Sequence, residues 1–228
     1  MIPLFLKSPE FQDPIEAAYY LLAANGVFLV KKAGIFSSIT EAPVRGLERQ
    51  RASVSLAFPR VPRDLLERIY GFFQYAYEEF DGEAVVFLYY CPERATFHAE
   101  APPQRLTRYF THRGWRTEGN VEYSAIARPQ GFLKLGDAHS HGEAPAFFSR
   151  TDDHDDGEDG LRIVMGGLHR PRPEIRVSFI ASGTRFRLEP EEVLEDFDAP
   201  APPPEAWTSR IECRHEDARI HRHEKEGE

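Results

Sequence analysis

Two histidines set one residue apart, His139 and His141, close the stretch FLKLGDAHSH, and a carboxylate, Asp152, follows after a short interval. Residues 132–139 are expected to form a strand, and side chains two apart on a strand leave the same face. Two neutral imidazoles and one carboxylate make an open zinc site, with water in the fourth position. Asp152 can complete it if the chain folds back after His141. Pro145 and the Phe147-Phe148 pair would pin that return, leaving Ser149 and Asp152 one helical turn apart. A metal so held acidifies water and polarises a carbonyl. A separate carboxylate must then take the water's proton and hand it to the leaving amine, and a hydroxyl near the metal can steady the oxyanion.

The elements that would position these groups are legible around them. Residues 62–80 carry Leu65, Leu66, Ile69, Tyr70, Phe73 and Tyr77 at three- and four-residue steps, so one helical face is apolar; Pro62 suits a first turn and Asp81-Gly82 the stop. EAVVFLYY (83–90) reads as a strand covered on both faces. RATFHA (94–99), NVEYSAIA (120–127) and three runs within 161–188 (LRIVMG, EIRVSFIA and TRFRLE) are further strands, with Ser182-Gly183 as a hairpin turn. EEVLEDF (191–197) is a short helix, and His169 with the Arg-Pro-Arg-Pro after it lies in a loop. Upstream, residues 14–25 read as a helix, and VFLVKK (27–32) and VSLAF (54–58) as strands. Three segments are therefore expected: an N-terminal α+β extension (1–60), a principal domain (61–198), and a Pro-rich spacer with a flexible tail (199–228).

H-x-H, seven residues, then S-x-x-D is the signature of the JAMM/MPN+ zinc metalloproteases, and His139, His141, Ser149 and Asp152 fill it without a gap. Over about residues 62–197 the chain resembles this family, in the form of a bacterial JAB-domain protein. The resemblance implies an α/β fold of the JAB/MPN, cytidine-deaminase-like type, a mixed β-sheet flanked by helices. It implies Zn2+ on His139, His141 and Asp152, with Ser149 at the oxyanion. The family's general-base glutamate opens the apolar strand that follows the long helix; that context selects Glu83 here, ahead of Glu79 on the last helical turn. The implied activity is an isopeptidase or peptidase acting after the C-terminus of a ubiquitin-like protein or its conjugates. Cognate activating and conjugating enzymes, as in antiphage conjugation systems, or a sulfur-carrier protein would be its companions. A non-catalytic, zinc-stabilised scaffold of the same fold is the second reading, which a fourth protein ligand such as His154 would favour. Many members carry proline after the second histidine; here it is Gly142, which is expected to loosen the loop beside the metal.

Composition sets the bounds. A net charge of −9 disfavours nucleic-acid and anionic-membrane partners. The two cysteines, Cys91 and Cys213, are too far apart for a disulfide framework or a cysteine zinc site, which also excludes a nucleoside-deaminase centre. The opening MIPLFLKSPEFQDP lacks the pattern of a signal peptide, so a cytoplasmic location is expected. Asp137 is a candidate to orient a ligand imidazole, whereas Ser140, between the ligands, should point away. The acidic run 152–159 reads as a solvated loop, and the tail histidines His215, His221 and His223 are assigned no function.

Overall fold

The computed structural model describes residues 2–33, 36–43, 51–111, 114–119, 121–148 and 158–216. The chain divides into two units, Met1–Ala52 and Ser53–Glu228. Ser149, Asp152 and His154 lie outside the described residues, as do most of the acidic run and the histidines at 221 and 223.

The first unit is a sheet of β1 (Leu4–Leu6), β2 (Ala18–Ala23), β3 (Gly26–Ala33) and β4 (Phe36–Glu41), in that order, with β1 parallel to β2. The helix expected over residues 14–25 is thus a strand. AYYLLA satisfies either period; pairing with β3 through a two-residue turn decides it, burying Tyr19 and Leu21 against Val30, Phe5 and Phe11. The Tyr19 hydroxyl donates to Asp13, whose other oxygen is 2.9 Å from Lys32 Nζ. Tyr19's hydroxyl, and then Lys32, hold the Asp13 carboxyl below its usual range, while burial and Asp13 push the Tyr19 phenol up to about 12.

The signs follow by linkage. A depressed carboxyl stabilises above its unfolded value of about 4 and is lost as pH falls through the folded one. A raised phenol stabilises below about 10 and is lost as pH rises through the folded value. Amide exchange at β2 and β3 in the full chain should therefore be slowest, at equal intrinsic rate, between these limits. Tyr19→Phe should remove the alkaline limb; an unchanged limb would assign it to another group.

In the second unit, α1 (Arg63–Phe80) buries Leu65, Leu66, Ile69, Tyr70, Phe72, Phe73 and Ala76, and closes on Asp81 in a left-handed conformation. It packs on a mixed sheet that, among the described residues, has six strands in the order β13-β12-β11-β10-β5-β6. These are β5 (Val85–Cys91), β6 (Thr96–Glu100), β10 (Leu133–Ser140), β11 (Gly160–Gly166), β12 (Glu174–Ala181) and β13 (Thr184–Leu188). β10 and β11 are parallel and the other neighbours antiparallel. Ser182 and Gly183, at φ 50° and 73°, make the β12–β13 turn. A second sheet joins β7 (Gln104–Thr111), β8 (Gly114–Thr117), β9 (Glu122–Tyr123) and β14 (Ile211–Glu216).

Three expectations are corrected here. VSLAF (54–58) pairs with no described strand; Leu56 and Phe58 pack against the main core, and the units divide after Ala52 rather than near residue 60. The Pro-rich stretch is not a free spacer, because Ala201 N–H donates to Glu67 O at 2.9 Å and a Cβ on Gly71 would come within 1.8 Å of Ala201 O. Beyond short α2 (Pro190–Val193) and that crossing, α3 (Glu205–Thr208) buries Trp207 against Phe72, and β14 runs parallel to β7, so the tail is structured through residue 216. Hydrogen-bonding along an existing strand and one large apolar anchor overcome its charged composition.

Candidate metal centre

His139 occupies the end of β10 and His141 the residue just past it. The ladder places Val85, His139 and Val164 in one row across β5, β10 and β11, and Phe87, Asp137 and Arg162 in the next. A bulge fixes which face these rows use. Lys134 pairs with Tyr89 but Gly136 with Leu88, so Leu135 is the extra residue. Leu135 and Ala138, three apart, consequently both lie in the core, and Asp137 and His139 share the opposite face.

Each candidate ligand ring has an oxygen near its Nδ1. The imidazole centroids are 5.2 Å apart. His141 Nδ1 lies 3.3 Å from Pro145 O; a carbonyl can only accept, so this hydrogen bond calls for the tautomer with the proton on Nδ1, which leaves Nε2 for a metal. His139 Nδ1 has Asp137 Oδ1 3.7 Å away, a carboxylate neighbour on the same face of the strand rather than a hydrogen-bonded one. Two adjacent imidazoles presenting Nε2 fit zinc, which takes nitrogen ligands at about 2.0–2.1 Å. Among the described residues no group of three potential ligands occurs, Asp152 lying outside them.

The loop after His141 is tied down rather than loose. His141 N–H donates to Met165 O, Ala144 N–H to His141 O, Gly167 N–H to Ala144 O and Leu168 N–H to Gly142 O, all at 2.7–2.9 Å. Tyr77 reaches from α1 to Glu143 with a 3.0 Å hydrogen bond, and Phe147 stands edge-on to His141 at 4.6 Å. Burial, then Glu143, raises the Tyr77 phenol, so it remains a donor throughout the physiological range. Gly142 sits at φ 53°, a conformation proline cannot take and other residues reach at a cost of about 1–2 kcal/mol. The glycine thus gives the loop a definite left-handed turn. Gly142→Pro, the residue many relatives carry, should lower stability by about 3 kcal/mol, and Gly142→Ala by about 1. Urea unfolding reads both, and a neutral Gly142→Pro would mean that the turn is not left-handed.

Glu83 is half-buried immediately before β5. Ser140 N–H donates to Ala84 O and Ala84 N–H to Ser140 Oγ, both at 3.0 Å, so Ser140 is a structural clasp. The β5–β10 ladder ends at the Val85–His139 pair, so Glu83 lies two residues beyond the partner of His139, at the same end of the sheet as the two imidazoles. A methyl group at Gly119 would stand 4.0 Å from Glu83 Oε1, so the segment before β9 also borders this carboxylate. Glu79 is exposed on α1. Gln104, buried at 3% exposure, acts as a surrogate strand neighbour: its Oε1 accepts from Val85 N–H at 2.9 Å and its Nε2 donates to Val85 O at 3.1 Å. Its amide holds the start of β5 where no β6 residue pairs with it.

Gln104, Tyr77 and Arg162 are contributors that the sequence reading missed. Arg162 had a visible signal, a single charge inside the apolar strand LRIVMG. Cys91 is buried filler, with Arg94 Nε donating to its sulfur at 3.3 Å, and His215 lies on β14 against Trp115.

A long helix packed on a mixed sheet, with two histidines at the end of β10, accords with a JAB-type domain. The chain belongs to the prokaryotic homologs of the JAB domain, whose family model matches residues 75–189. No curated protein matches it. Among solved structures it is similar to protein DSY2949 from Desulfitobacterium hafniense, at 19% identity and TM-score 0.23, over 40% of this chain and about half (49%) of that one. It is also similar to a protein from Salinibacter ruber, at 19% identity and TM-score 0.32, over 60% of this chain and 92% of that one. No helix among the described residues is long and apolar enough to cross a membrane.

Proposed function

We propose that the chain is a zinc-dependent peptidase or isopeptidase that cuts after the C-terminus of a ubiquitin-like protein, either releasing conjugates or processing a precursor. The observation that supports this reading is the pair of imidazoles 5.2 Å apart at the end of β10, with Glu83 two residues from Val85, the ladder partner of His139. The fold that goes with it is the cytidine-deaminase-like JAB/MPN arrangement. The partners are a ubiquitin-like protein and the activating and conjugating enzymes of a bacterial, antiphage-type system.

His139 and His141, with Asp152 from the following segment, would hold zinc. The metal, when bound, polarises the scissile carbonyl and acidifies the attacking water. Glu83 takes the proton of that water on its carboxylate and returns it to the leaving nitrogen, so that an amine rather than an amide anion departs. Ser149 donates to the oxygen that gains negative charge. Pro145 O beside His141 Nδ1 and Asp137 beside His139 Nδ1 favour Nε2 as the metal-facing nitrogen of each ring.

The test offers zinc-loaded protein a panel of ubiquitin-like fusions bearing a C-terminal extension. Cleavage at the junction by wild type, abolished by a chelator and by His139→Ala, is the expected result. Zinc binding without cleavage of any fusion would overturn the enzymatic reading in favour of a zinc-stabilised scaffold.

A further inference from the structure

Strand β11 is buried from end to end, yet it carries Arg162, whose exposure is only 8%. A guanidinium in such a place is retained only where its donors are matched. Nη2 donates to Glu158 O at 2.8 Å and Nη1 to Leu161 O at 3.3 Å, while Nε lies 3.3 Å from Asp137 Oδ2. Asp137 is Arg162's direct partner in the β10–β11 ladder, and its other oxygen faces His139 Nδ1. Guanidinium, carboxylate and imidazole therefore form a row that starts in the closed interior of the sheet and ends at a metal ligand.

Building on the zinc reading above, we infer that Arg162 is a positioning residue for the metal centre, acting through Asp137. An aspartate held only by its own side-chain torsions would sample several orientations toward the imidazole. The guanidinium removes that freedom by fixing one oxygen, so the other is presented to His139 in a constant direction. That sets a carboxylate beside Nδ1, where it can draw the ring into register, and leaves Nε2 to the metal. Arg162 also grips the Glu158 carbonyl, and Lys134 pairs with the Glu158 carboxylate, so the chain entering β11 is anchored beside the same row.

Zinc affinity, measured by chelator competition, reads this without any substrate. Asp137→Asn and Arg162→Met should each weaken zinc binding by about 10–100-fold. If Arg162 works through Asp137, Arg162→Met should add no more than about twofold once Asp137→Asn is present. Arg162→Lys keeps a cation beside Asp137 but loses the fork to Glu158 O, and should retain most of the affinity. Thermal melts establish that each variant is folded, and the visible spectrum of the cobalt-substituted protein should change in Asp137→Asn and Arg162→Met but not in Arg162→Lys. Unchanged affinity in Arg162→Met, full additivity with Asp137→Asn, or an equal loss in Arg162→Lys would each overturn the inference. A wild-type protein that binds no zinc would overturn the metal-centre reading itself, and this one with it.

Discussion

Replacing Glu83 by glutamine should lower cleavage of a ubiquitin-like fusion by about 10²–10⁴-fold, the usual contribution of a positioned general base, while leaving zinc bound. The two halves of that expectation come from different parts of the structure. Glu83 stands on the β5 side of the centre, held by Ser140 and Gln104 at the two residues after it, and it is not one of the ligands. The two imidazoles belong to the β10 side, with Asp137 and Pro145 O beside their Nδ1 atoms. Glutamine is isosteric with glutamate, so the clasp and the ladder are untouched and only the proton acceptor disappears. Because the loss falls on a proton transfer during reaction, it should appear in kcat with KM little changed. Zinc affinity by chelator competition should match wild type. Undiminished turnover would remove Glu83 from the mechanism. A parallel loss of zinc would make it a ligand instead. Glu79→Gln, on the exposed end of α1, serves as the control expected to be neutral.

How much of this was legible beforehand depended on whether local pattern and tertiary context agreed. In α1 they agree: a 3.6-residue apolar period, a proline before the first turn and Asp-Gly after the last leave little for context to decide. β5 and β11 are similarly readable, because a central strand buried on both faces is a nearly continuous apolar run. Where the two levels diverged, context won. AYYLLA satisfies helix and strand alike, and only the hairpin with β3 resolves it. QRLTRYFT, the β7 segment, passes as a polar loop because among its residues only Gln104 and Leu106 are fully buried. The C-terminal stretch hid one tryptophan and a strand behind prolines and charges.

The histidine pair was legible because spacing of two on a strand fixes a shared face, and that property is local. What orients the pair is not local. Asp137 is in sequence reach, but Arg162 comes from a neighbouring strand, Tyr77 from α1, six elements earlier, and Gln104 from a different sheet. Each of these acts through a hydrogen bond or ion pair across the fold, and no periodicity in one segment announces such a partner. Polar residues placed against the expected pattern are the usable sign. Arg162 is the clearest of them, since an unpartnered guanidinium could not stay in that strand.

Gly136→Ala should be the most damaging of the glycine substitutions near the centre, lowering stability by about 4 kcal/mol, at the upper end for a single change. A Cβ at this position would lie 1.8 Å from Leu161 O and 2.6 Å from Leu161 N, both backbone atoms of the parallel neighbour, which have no rotamer by which to yield. The backbone adds to the problem, because φ is 152°, in a region other residues rarely adopt. The consequence reaches the site through the bulge. Gly136 is the residue at which the β5–β10 pairing shifts, and that shift lets Leu135 and Ala138 both face the core while Asp137 and His139 face away from it. An alanine can be accommodated only if β10 moves off β11 or the bulge is expelled. Expelling it would carry Asp137 and His139 toward the apolar side, a one-residue slip being enough to exchange the faces of a strand. The melting temperature should therefore fall by roughly 8–16 °C, taking 2–4 °C per kcal/mol for a unit of this size. Zinc affinity should drop with it, even at temperatures where the variant is folded. A variant that melts like wild type would show that the close approach of β10 to Leu161 does not hold. One that melts early yet binds zinc normally would separate the bulge from the placement of the histidines.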